Sequence, residues 1–183
     1  HSNFDKKFAM DPELLFLFLM DTQPEKLEEL TKQFKEDTEE TIINTINKFI
    51  LSKKGSLLSA LKHGVDVNNQ HLTLLYGKPA TDFNPELSKL YSENIFSVMQ
   101  EVYADKENKE RIDLVIFING FAIISFELKS NSQGQNYEDA IRQYRTTRNP
   151  KDRLFLFKAG CLVNFAMDTE EVYMTTQLAN DKT

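Results

Sequence analysis

Asp113, Glu127 and Lys129 are the residues whose types and spacing point most directly to chemistry. The two acids stand inside strongly apolar, β-rich runs, 112–118 and 121–128, and Lys129 follows at once. An unpaired buried carboxylate is costly, so this placement demands compensation. A divalent cation would supply it, because two carboxylates, a backbone carbonyl and waters make a hard oxygen set suited to Mg²⁺. A cation held there polarises a phosphoryl oxygen, lowers the pKa of a water and stabilises a leaving oxygen. Lys129 would orient or help deprotonate that water and offset charge on the phosphate. The reaction class is hydrolysis of a phosphodiester. The plain alternative is a surface hairpin in which Lys129 pairs with Glu127 or Asp113, since Asp followed at a distance by Glu-x-Lys is common by chance.

Placement on the two strands strengthens the metal reading and leaves both open. Asn119-Gly120 between the two runs is a strong hairpin signal. Side chains alternate faces along a strand, so Glu127 and Lys129 share one. A plain two-residue turn would set Asp113 against Phe126 and leave Glu127 on the other face. A three-residue loop with Gly120 in the left-handed position would pair Arg111 with Glu127 and bring the two carboxylates to one face. The metal reading therefore predicts that second register or an equivalent bulge.

The elements around the hairpin follow from periodicity and caps. Asp11-Pro12, the capping-box spacing of Thr22-Gln-Pro-Glu25, Asp37 to Glu40, and Ser56 to His63 before Gly64 each predict a helix. Residues 72–75 and 95–103 read as strands, and 78–91, with two prolines, as mostly loop. A helix is predicted over 137–148, with further strands at 154–157, 162–165 and 172–175. Helices, then strands, one helix and more strands indicate an α/β fold with a mixed sheet. The expected division is a helical portion, 1–64, and a core, 65–183.

Composition excludes several classes. The single cysteine, Cys161, cannot form an internal disulfide and fits a reducing cytoplasm. Apolar runs are strand-sized, so no membrane span is expected, and no signal peptide is visible. A first residue other than Met suggests a piece of a longer protein. The net charge of −6 argues against a generic nucleic-acid binder. Against that balance, Arg142, Arg145 and Arg148 lie in a basic segment on or beside the predicted helix after Lys129 and could meet DNA phosphates. The simpler account of that segment is a solvated helix face. His63 and His71 lack a zinc pattern. Phe155, Phe157 and Phe165 suit core packing better than base stacking.

Arg111-Ile-Asp-Leu-Val-Ile-Phe-Ile-Asn-Gly120 followed by Phe126-Glu-Leu-Lys129 closely resembles the N-terminal nuclease domain of the type I restriction enzyme R subunit. The likeness extends through Gly64-Val65, residues 91–96, Gly134-Gln135, residues 139–144, 163–166 and 172–176. It implies a restriction-endonuclease-like, PD-(D/E)xK α/β fold: a mixed central sheet flanked by helices. It implies Asp113 and Glu127 as metal ligands, Leu128 contributing its carbonyl, and Lys129 completing the motif. Gln143 matches the start of the family's Gln-x-x-x-Tyr motif, whereas Thr147 stands where the Tyr is expected. The resemblance implies Mg²⁺-dependent endonuclease action on double-stranded DNA, with modification and specificity subunits as partners. ATP belongs to the family's motor domains, and this chain has no Gly-x-x-x-x-Gly-Lys-Ser/Thr loop. The alternatives are a non-cleaving DNA-binding or docking module of the same fold and a repair nuclease of that superfamily.

Overall fold

The computed structural model describes residues 3–81, 83–104, 111–130 and 134–179. The chain divides into two compact units, one of residues 1–10, 97–117 and 121–183, the other of residues 11–96 and 118–120. The first is built on a sheet and the second mainly on helices.

In the helical unit, α1 (Pro12–Thr22) starts as the Asp-Pro pair predicts, with Asp11 accepting the Leu14 N–H. The next helix, α2 (Pro24–Phe34), takes Gln23 rather than Thr22 as its cap residue, so the expected capping box does not form. Thr22 instead turns its hydroxyl back to Phe18 O, and the buried Gln23 amide is bonded to both backbone groups of Thr73. Helices α3 (Thr38–Ile50) and α4 (Leu57–His63) follow, the latter capped by Ser56 and closed at Gly64 with φ 70°. The apolar spacing along these elements buries Leu15, Phe18, Leu19, Leu30, Ile42 and Ile46 fully.

Two elements of this unit differ from expectation. Strands β1 (Val65–Val67) and β2 (Gln70–Leu72) form a small antiparallel hairpin over Asn68, which adopts φ 54°. The predicted strand at 72–75 is thus displaced towards the Asn-Asn turn. Within the predicted loop at 78–91, Pro85–Ser92 is helix α5, because Asn84 caps it and Pro85 sits in its first turn.

The sheet unit carries five strands in the order β3 (Phe96–Tyr103), β4 (Arg111–Ile118), β5 (Phe121–Leu128), β6 (Val163–Met167) and β7 (Val172–Thr175). β5 pairs parallel with β6 and β6 antiparallel with β7, so the sheet is mixed and the α/β class is the one observed. A parallel pair needs a crossover, and α6 (Tyr137–Thr146) lies within it. Its start is fixed by a capping box: Asn136 accepts from Glu138 and Asp139 N–H, and Asp139 accepts from Asn136 N–H. Residues 154–157 are not a strand; Cys161 N–H returns to Leu154 O, closing local turns around the buried Leu154 and Phe155. Val115, Phe117, Ala122, Ala140, Tyr144 and Leu154 belong to one buried core. Among the described residues no helix is long and apolar enough to cross a membrane.

Candidate active site

The hairpin turn has two residues, Asn119 with φ 47° and Gly120 with φ 84°, rather than the three-residue loop expected. Two successive left-handed residues fit a type I′ turn, whose twist matches that of the strands. Asn119 tolerates this conformation and is fully buried with its amide engaged. Its Oδ1 accepts the Ile95 N–H at 2.7 Å, and Nδ2 donates to Leu74 O at 2.9 Å and Asn94 Oδ1 at 3.0 Å.

The bulge foreseen as an alternative lies early in β5. Ala122 N–H donates to Ala9 O, and the next residue, Ile123, accepts Leu162 N–H at its carbonyl. Successive residues of a regular strand turn these groups to opposite sides, yet here both turn away from β4. This is the pattern of an inserted residue. Beyond it, Ser125 and Glu127 face α6 and the turn that follows it. Ser125 Oγ meets Tyr144 Oη at 2.9 Å and Asn164 Oδ1 at 2.7 Å. Glu127 meets Arg148.

Glu127 is fully buried. Its Oε1 accepts from Arg148 Nε at 2.8 Å and from Nη2 at 2.7 Å. Its Oε2 is buried without a hydrogen-bond partner. Burial pushes the Glu127 carboxyl up to about 7, against the pull of the Arg148 charge. The negative charge of Asp113 raises it further and Lys129 lowers it, so both motif partners act on this carboxylate. Asp113 is half-buried, and its Oδ2 accepts the Leu128 N–H at 2.7 Å. Leu128 is thereby held beside Asp113, and Lys129 N–H is fixed to Met167 O at 2.9 Å.

The remaining predicted residues fall in different places. Gln143 is half-buried, with Oε1 sequestered and unpartnered. Thr147 uses its hydroxyl on the Gln143 carbonyl at 2.8 Å, which closes the helix. Arg142 and Arg145 are exposed on α6, Arg142 paired with Asp139 at 3.1 Å. Arg148 is not with them. It lies beyond the end of α6, is 5% exposed, and faces Glu127. It departs from the expected DNA-facing group because it follows the helix, where the stripe of exposed positions ends. The available signal was the buried glutamate, which needs a counter-charge whether or not a metal is bound.

Two carboxylates with one orphaned buried oxygen fit a hard cation that takes its other ligands from carbonyls, water or substrate. Among the described residues no group of three or more His, Cys, Asp or Glu could hold a metal. The largely apolar cavity of about 260 Å³ lined by Ile141, Tyr144, Met174 and Leu178 includes none of Asp113, Glu127 and Lys129. Cys161 is buried and its thiol is pushed up by that burial, which suits a core residue rather than a nucleophile.

No curated protein and no solved structure matches the chain. A family model described as the type I restriction enzyme R protein N terminus matches residues 19–183. That match spans α2 to α4 as well as the hairpin, and the chain belongs to this family.

Proposed function

We propose that this chain is the endonuclease domain of a type I restriction enzyme R subunit, hydrolysing DNA phosphodiester bonds with Mg²⁺. Sequence recognition would come from the specificity subunit, methylation from the modification subunit, and ATP use from motor domains, all in the cytoplasm. The observation that carries the reading is the orphaned, buried Oε2 of Glu127 within electrostatic reach of Asp113 and Lys129. An unsatisfied buried carboxylate oxygen is expensive unless a ligand completes it.

In this reading Asp113 and Glu127 hold the cation, with the Leu128 carbonyl as a third protein ligand. Bound there, the cation supplies positive charge to the phosphoryl and leaving oxygens. Lys129 would orient the attacking water and offset charge on the phosphate; as the water oxygen bonds to phosphorus the bond to the deoxyribose oxygen breaks, the water's proton passing to solvent and the leaving oxygen taking one from solvent. Gln143 positions water or the DNA backbone beside the site. Arg142 and Arg145 meet phosphates on the exposed face of α6.

The test is cleavage by the complete restriction assembly. Asp113→Ala or Lys129→Ala should abolish cutting while leaving ATP hydrolysis intact. Undiminished cutting by both variants would overturn the reading and leave a docking or DNA-holding module of the same family.

A further inference from the structure

The buried pair of Glu127 and Arg148 has a lopsided geometry. Both Arg148 nitrogens that reach the carboxylate meet Oε1, at 2.8 and 2.7 Å, and Oε2 has no partner. Nη2 also donates to the carbonyl of Arg111 at 2.8 Å. Arg111 opens β4 two residues before Asp113, and Glu127 stands near the end of β5. One guanidinium therefore grips both strands that carry the carboxylates. Its rigid fork is what permits three bonds in fixed directions, which a lysine ammonium on a flexible stem cannot reproduce.

We infer that Arg148 is a positioning residue for the metal site, holding Glu127 by Oε1 so that Oε2 is presented to the cation while tying β4 to β5. This rests on the nuclease reading and deepens it. A surface role is excluded by burial, since the side chain is 4% exposed. Arg148 leaves the second oxygen open instead of bridging both. Without its guanidinium, Oε1 of Glu127 would lose both of its hydrogen bonds and the tie to the Arg111 carbonyl, so the carboxylate would no longer be held in one orientation.

The experiment measures Mn²⁺ affinity of this chain by electron paramagnetic resonance, and the Mg²⁺ concentration for half-maximal cleavage by the full assembly. Arg148→Met should raise both midpoints at least tenfold, with much of the cleavage rate recovered at saturating metal. Arg148→Lys should give an intermediate shift, since it keeps the charge and loses the fork. A purely structural role would lower the melting temperature and leave the metal midpoint of the folded protein in place. Unchanged or tighter metal binding in either folded variant overturns the assignment. Should Arg148→Met fail to fold, Arg148→Lys carries the test. If Asp113→Ala removes metal binding and cleavage while the Arg148 variants shift neither, only the role of Arg148 fails. If Asp113→Ala changes nothing, the nuclease reading fails with it.

Discussion

Gly120 accepts the Asp11 N–H at 2.7 Å, and a Cβ built on Gly120 would lie 2.3 Å from the Asp11 carbonyl oxygen. Glycine is thus required there twice, for its φ of 84° and for the closeness of the backbone that precedes α1. Gly120→Ala should lose about 1–2 kcal/mol from the left-handed conformation alone, and more from the clash. Urea titration reads the loss. A variant as stable as the wild type would mean that the turn and the Asp11 backbone separate without cost.

Glu127 gives stability a definite pH dependence. Its carboxyl is raised from 4.5 in the free state to about 7 in the folded protein. Between these values the folded state binds more protons than the unfolded one, so this group's contribution is fully present below about 4.5 and is lost as pH rises through about 7. The difference amounts to roughly 2–4 kcal/mol. Glu127→Gln removes the titration. The stability difference between wild type and variant should change across that window and flatten above it. Parallel stability curves from pH 4.5 to 7.5 would contradict the raised carboxyl.

The exposed arginines of α6 give a third test. Arg142→Glu with Arg145→Glu should weaken DNA binding by the assembly. The slope of log affinity against log salt should become shallower by about two phosphate contacts. Arg148 is left out because it faces Glu127 from a buried position. An unaltered salt slope would remove α6 from the DNA interface.

Much of this was legible in the chain. Asp11-Pro12, Ser56 with Gly64, and the Asn119-Gly120 turn are local signals, and each appears where the residues placed it. Helix α5 was equally local, but the two prolines in 78–91 obscured Asn84 as its cap. Residues 154–157 depart from the strand their apolar run predicts because consecutive apolar residues can be buried in turns as well as in a strand. The bulge at Ala122–Ile123 lay beyond sequence reading in detail. It depends on backbone partners at Ala9 and Leu162, which alternation cannot disclose. The same holds for Arg148: its charge was visible, but the turn that points it inward was not.

The Glu127–Arg148 bond spans 21 residues of chain, with α6 between its two ends. During synthesis, a ribosome would therefore release Asp113, Glu127 and Lys129 from its tunnel before the guanidinium that grips the strands. Until α6 follows, the emerging hairpin has its acids but not that grip. With chain growth at about 5–20 residues per second, the interval lasts on the order of seconds. The order of translation thus leaves Glu127 without its guanidinium until the segment beyond α6 has been made.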